Sequence, residues 1–207
     1  MNNEDICIIV QGPSDNIKRH RDCWKNHNLI FSTWVNDIKR DKYTKEDTVI
    51  FSKLPHLFGH NNINLQKIST LNGLYMVKNL GFNKCIKLRS DLYATNPDKL
   101  IDIINFDKLN FIGKHCYKKI DNFDCYMIDY MQCGPIDMMI KLWEIDDINF
   151  SKVPEISLLN NFNKYFTNKD LHFLLKDINK NNDLWWNRPR MQKYISTLNK
   201  DITYQSE

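Results

Sequence analysis

The sequence predicts an α/β fold, a central and mostly parallel sheet with helices on its faces. Three observations carry this. Ile6-Cys7-Ile8-Ile9-Val10 is apolar at every position and ends in Gln11-Gly12-Pro13-Ser14, the pattern of a central parallel strand followed by a turn. Strand-like and helix-like stretches then alternate along the chain, as βαβ units do. Between 61 and 91 the apolar period changes from about 3.6 to about 2, a helix handing over to a strand.

After the first strand, residues 16–26 read as a helix, and Leu29-Ile30-Phe31-Ser32-Thr33-Trp34 as a second strand ending in small polar residues. Thr48-Val49-Ile50-Phe51-Ser52 makes a third, broken by Pro55. Leu65, Ile68, Leu71 and Tyr75 recur at helical spacing, and Gly81-Phe82-Asn83 ends that helix before the alternating run Lys84 to Arg89. Asn96-Pro97 supplies a cap and a first-turn proline to a helix that turns Leu100, Ile101 and Ile104 inward. Phe111-Ile112-Gly113 is a short strand. Residues 126–145 read as a strand, a Gly134-Pro135 turn and a helix carrying Met138, Leu142 and Ile145 on its apolar face. Val153-Pro154-Glu155 opens a helix that runs through Phe166. From about 179 the chain is polar except for Trp185-Trp186, followed by Arg188-Pro189-Arg190. The expected organisation is one domain over 1–178 with an extension over 179–207 packed on it, where the aromatic and basic groups could also touch a membrane interface.

Composition narrows the function. At 207 residues the chain can bury one sizeable core, and no apolar run approaches the roughly 18–20 residues of a membrane span. The net charge of +4 is dispersed without long runs of one sign, so nucleic-acid binding is not implied. The start carries no export signal, and the six cysteines form no CxxC pair. A cytoplasmic protein with reduced, mostly buried thiols is expected, with neither zinc nor a disulfide framework.

The strand over 84–89 places Ile86, Leu88 and Ser90 on one side and Lys87, Arg89 and Asp91 on the other. A charged row on a central strand requires partners or a ligand. Two readings stand at this point: an Arg89–Asp91 ion pair with a structural role, or a binding site at the strand's carboxyl end, where open α/β sheets place their ligands.

The residues also carry a family resemblance. VQGP at 10–13, FSTW at 31–34, DxVxxS at 47–52, NxNxQxxSTLNGL at 62–74, KLRSD at 87–91 and IDYMQCG at 128–134, with Asp137 and then Pro154-Glu155 and Leu158 following, occur in order. This series resembles the WavE family of lipopolysaccharide-synthesis proteins. The resemblance implies a single Rossmann-like, GT-A-type domain that transfers a sugar from a nucleotide-diphosphate sugar to a glycan or lipid-linked acceptor, with a metal-binding acid at the end of the fourth strand. That acid corresponds to Asp91, with Mn²⁺ or Mg²⁺ as the expected ion. Arg89 stands where a DxD pattern has its first acid, so it either joins a metal at the diphosphate, meets the phosphates directly, or pairs with and orients Asp91.

Gln11, Gly12, Ser32, Thr33 and Trp34, at the ends of the first two strands, are the candidates for the base and ribose, and Trp34 either stacks on the base or is a core residue. Asn62, Asn64, Gln66 and Lys67, at the start of the long helix, are the candidates for the diphosphate. Asp129 and Glu155 are the candidates for the base that deprotonates the acceptor, whereas Asp137 reads as a helix-start acid. Two alternatives remain: a nucleotide- or glycan-binding module with a degenerate site, and a sugar nucleotidyltransferase, for which the chain lacks a Gly-rich loop after its first strand.

Overall fold

The computed structural model describes residues 5–14, 16–37, 39–92, 94, 96–111, 114–115, 126–127, 129–146 and 154–174. The expected extension over 179–207, with its tryptophans and arginines, lies outside these, as do Ile112, Gly113 and Val153.

The chain forms an α/β fold on a seven-stranded mixed sheet, in the order β3-β2-β1-β4-β8-β5-β9. β1 (Ile6–Gln11) lies between β2 (Asn28–Trp34) and β4 (Lys84–Arg89), with β3 (Thr48–Ser52) outside β2, all four parallel. All six residues of β1 are buried, because a central strand is covered on both faces. β8 (Met131–Pro135) runs antiparallel to both β4 and β5 (Leu109–Phe111), and β9 (Leu171–Phe173) pairs parallel to β5. The two-residue strands β6 (Lys114–His115) and β7 (Tyr126–Met127) pair with each other outside the sheet.

Helices α1 (Ile17–Cys23) and α3 (Pro97–Ile103) contribute to the core on one face, with Ile6, Ile8, Val10, Ile86 and Leu88 from the strands. Asn96 caps α3 by accepting from the Lys99 N–H, and Leu100 and Ile101 are buried, as expected. Helices α2 (Ile63–Asn79), α4 (Ile136–Trp143) and α5 (Pro154–Tyr165) cover the other face over Cys7, Ile9, Ile30 and Cys85. Each large apolar side chain so buried is worth about 1.5–3 kcal/mol. No helix among the described residues is long and apolar enough to cross a membrane.

Three sequence expectations change. The residues whose spacing marked α2 do not form its buried stripe: Tyr75 is exposed and Leu65, Ile68 and Leu71 are half-buried, while Ile63, Ser69, Thr70, Gly73, Leu74 and Val77 face the sheet. Close approach decides this, since a Cβ on Gly73 would stand 2.9 Å from Ile9 Cγ2. The helix stops where expected, with the Phe82 N–H bonded to the Val77 carbonyl (3.2 Å) and the Gly81 N–H to that of Lys78 (3.0 Å). Second, Gly134-Pro135 is the end of strand β8 and not a turn between that strand and the following helix. A side chain at Gly134 would strike the Lys108 carbonyl (2.6 Å), so glycine lets the chain pass there. Third, β9 follows α5, where no strand was expected.

Candidate active site

The strand order reverses at β1: β2 and β3 extend to one side of it and β4 lies on the other. This is the switch point where open sheets leave a crevice beyond the carboxyl ends of their strands. A cavity of about 620 Å³ opens there, lined from β1 by Gln11 and Gly12, from β4 and its continuation by Arg89, Ser90 and Asp91, and from α5 by Pro154 and Glu155. That volume is within the range of about 300–1,000 Å³ typical of small-molecule sites.

Arg89 is the hub. Its Nε and Nη2 donate to the two oxygens of Asp91 (3.1 and 2.7 Å), its Nη1 lies 3.6 Å from Asp129 Oδ2, and the guanidinium sits 4.8 Å over the Tyr130 ring. Burial opposes the charge on Arg89, but Asp129 and Asp91 outweigh it and raise its pKa. Lys87, one turn of the pleat earlier on the same face, is wholly buried; its Nζ donates to the Asp129 carbonyl (2.5 Å) and lies 4.8 Å over the Trp143 ring. Burial brings its pKa down to about 7. Asp129 is 2% exposed, and its Oδ1 has no hydrogen-bond partner among the described residues. Glu155 completes the group, with burial first and the Asp129 charge second pushing its pKa up to about 7.

The loop that presents Asp91 is tied down from behind. His20 of α1, fully buried, bonds through Nε2 to the Ser90 carbonyl (3.0 Å), and burial lowers its pKa, so the neutral ring donates. The opposite wall carries Trp34, whose indole N–H donates to the Leu65 carbonyl (3.2 Å), and the start of α2 with Asn61, Asn62, Leu65 and Gln66. Asn61 and Asn62 hold positive φ of 50° and 61°, a conformation that asparagine tolerates better than most residues.

Of the residues singled out from the sequence, Gln11, Gly12, Trp34, Asn62, Gln66, Arg89, Asp91, Asp129 and Glu155 line this one cavity. Ser32, Thr33, Asn64 and Lys67 do not. Ser32 Oγ donates to the Ser69 carbonyl (2.6 Å), Thr33 Oγ1 to Asp37 Oδ2 (2.7 Å), and the Asn64 amide to the Leu57 carbonyl (3.0 Å). Asp137 sits in the first turn of α4 and pairs with Lys78 (2.7 Å), as a helix-start acid. Tyr130, Leu65, Asn61 and Pro154 also line the cavity and were not among the site candidates read from the sequence. A charged lysine in an apolar strand was the one available signal for Lys87.

No family model matches this sequence, and no curated protein matches it. Among solved structures the chain is similar to one described as a glycosyltransferase involved in glycosylation of the major capsid of PBCV-1, at 9% identity and a TM-score of 0.40, covering 82% of this chain and 83% of that one. What the cleft can do rests on its own residues.

Those residues fit a hard divalent cation under one condition. Among the described residues no cluster of three histidine, cysteine or carboxylate groups is assembled to hold one. The cleft nevertheless has three carboxylates around a single guanidinium, and burial first, with the Asp129 charge second, raises the Glu155 pKa. Asp91 together with substrate phosphate oxygens would complete a shell of the kind Mg²⁺ and Mn²⁺ accept.

Proposed function

We propose that the chain is a glycosyltransferase of GT-A type that moves a sugar from a nucleotide-diphosphate donor to a hydroxyl of a glycan or lipid-linked acceptor. The observation that carries the reading is the meeting, at the β1/β4 switch point, of a guanidinium held by Asp91 and Asp129 with a carboxyl, Glu155, poised to exchange its proton near neutrality. The ordered series of motifs that resembles the WavE family is in keeping with it. In this reading Trp34 and Gln11 take the nucleoside end, Arg89 and the start of α2 face the diphosphate, and Asp91 would hold Mn²⁺ or Mg²⁺. A bound ion would supply positive charge to the leaving diphosphate. As the acceptor oxygen bonds to the anomeric carbon, the bond from that carbon to phosphate oxygen breaks and its electron pair leaves with the nucleotide. The acceptor proton goes to the Glu155 carboxylate, and Lys87, through the Asp129 carbonyl, keeps that loop in place. The buried thiols Cys7, Cys85 and Cys133 accord with a cytoplasmic location.

A non-catalytic nucleotide- or glycan-binding module is the second reading, favoured by the two-point Arg89–Asp91 bond, which occupies both oxygens of the carboxylate. The deciding measurement is release of nucleoside diphosphate from a panel of nucleotide sugars with Mn²⁺, comparing the protein with Asp91→Asn and Glu155→Gln. Loss of about 10²–10⁴-fold in Glu155→Gln, with the fold retained, is expected of a general base. Binding without release from any donor would give the second reading the case.

A further inference from the structure

We propose that the chain docks on anionic bilayer surfaces through residues 53–60, the segment that leaves β3 and ends one residue before Asn61 on the wall of the cleft. This contact goes beyond the reaction proposed above and does not depend on it.

The segment reads Lys53-Leu54-Pro55-His56-Leu57-Phe58-Gly59-His60. Leu54, Leu57 and Phe58 are 38%, 49% and 47% exposed. Phe51 and Val35, also exposed, border them, and the Val35 N–H bonds to the Ser52 carbonyl (3.0 Å). Five of the eight large apolar side chains left exposed among the described residues are thus gathered in one place. Single exposed apolar residues are ordinary, but a contiguous group marks a contact surface. The segment is also held. The Phe58 carbonyl accepts from the Asn64 N–H (3.0 Å), the Leu57 carbonyl from the Asn64 side-chain amide (3.0 Å) and the Gly59 carbonyl from the Asn62 N–H (3.2 Å). Three carbonyls are spent on the start of α2 while the side chains stay in water. Between the segment and α2 lies a depression of about 590 Å³ lined by Leu54, Pro55, Leu57 and Ile68, where the Asn72 amide donates to Ser52 Oγ (2.9 Å).

Charge selects the occupant. No Asp or Glu occurs between Asp47 and Asp91, although the chain carries 25 acids. Lys53 is exposed within the segment, and Lys67 follows Asn64 by three residues on the same side of α2. The α4 acids Glu144 and Asp137 meet α2 at Tyr75 (3.0 Å) and Lys78 (2.7 Å), in its last two turns and away from the segment. A second copy of the chain would set the same bases against these, whereas an anionic lipid layer supplies the opposite charge together with an apolar interior. Bases beside exposed leucine and phenylalanine are the combination that settles in a membrane interface. β3 runs parallel to β2 and β1, so it ends at the edge of the sheet where the cleft opens, and a bilayer bound here lies beside the wall that carries Trp34 and Asn61.

The test is flotation of the full chain with vesicles of phosphatidylcholine alone and of phosphatidylcholine and phosphatidylglycerol in equal parts, at low and raised salt. The variants are Leu57→Ser/Phe58→Ser, Lys53→Glu and, as a control at the exposed far end of α2, Leu80→Ser. The expected result is binding to the mixed vesicles about 10-fold or more above that to phosphatidylcholine, weakening as salt rises. Leu57→Ser/Phe58→Ser should lower the partition coefficient about 10-fold or more, since two large apolar side chains no longer leave water. Lys53→Glu should lower it about 5-fold or more, and Leu80→Ser should leave it unchanged. Should the double variant not fold, as read by its melting curve, Lys53→Glu decides. Absence of binding to the mixed vesicles overturns the proposal. So does binding that survives the double variant, which would assign the contact to another part of the chain. A concentration-dependent dimer in sedimentation velocity that the double variant abolishes, with no vesicle binding, gives the surface to a second copy and overturns it too. None of these results bears on nucleotide release, so this proposal and the transferase reading fail separately.

Discussion

On one face of the sheet Ile6, Ile8, Val10, Ile86, Leu88, Met131 and Cys133 stay apolar to the strand ends. On the other, Cys7, Ile9 and Cys85 give way toward the same ends to Gln11, Lys87, Arg89 and Gln132. The two sets alternate along the same strands, so strand propensity cannot explain the difference; what lies over each face does. On the apolar face α1 closes the strand ends, and its buried His20 bonds through Nε2 to the Ser90 carbonyl, with Nδ1 left without a partner among the described residues. On the other face the starts of α2 and α5 stand apart and leave the cavity between them. Polar groups there can be kept only by pairing with one another or with a ligand.

The largest effects should come from removing one central side chain on each face. Leu88→Ala, fully buried in the apolar core, should cost about 2–5 kcal/mol by denaturant unfolding, with little change between acid and neutral pH. Arg89→Met should cost on the order of 3 kcal/mol at neutral pH, because it strips the cation from two carboxylates. Its cost should shrink as salt is raised while that of Leu88→Ala holds, because the attraction it removes is electrostatic and partly exposed. Equal salt dependence in the two variants would break the comparison.

A smaller, oppositely signed effect is expected at Glu155. Its folded-state pKa, about 7, is above its unfolded value, so the group favours folding below the unfolded pKa and loses that contribution as pH rises through 7. Glu155→Gln should therefore raise the melting temperature at pH 8 relative to the unaltered protein and leave it nearly unchanged at pH 4, while nucleotide release in the unaltered protein rises with pH through about 7. A variant that melts lower at pH 8 would remove the electrostatic account of this residue.

The smallest effect separates structural polar groups from the cleft. Thr33, on the apolar-face side of β2, bonds to Asp37, which also accepts from the Ser14 N–H (2.6 Å). Thr33→Val should cost about 1 kcal/mol of stability and leave nucleotide affinity unchanged by titration. A drop in affinity would return Thr33 to the cleft.

Much of this fold was legible because it is local. β3 and β4 occupy the residues that alternation assigned, the Asn96-Pro97 start opens α3, and Gly81 ends α2. Most of the candidate site was legible too, since residues at the ends of β1 and β4 converge wherever a sheet reverses its order. Thr33 and Ser32 show the limit of that rule, because each, though at a strand end, is spent on a neighbouring loop or helix that the sequence does not locate.

By itself the sequence determined most of the elements as far as α5, their order, the charged row on β4 and the position of Asp91, since periods of 2 and 3.6, caps and stops act over a few residues. Tertiary structure alone decided that α2 buries its small residues and not its leucine stripe, that β8 runs against its neighbours, and that Asp91 and Asp129 share one guanidinium beside Glu155. Those outcomes depend on how closely distant segments can approach and on which charges burial forces together, and neither is encoded in spacing along the chain.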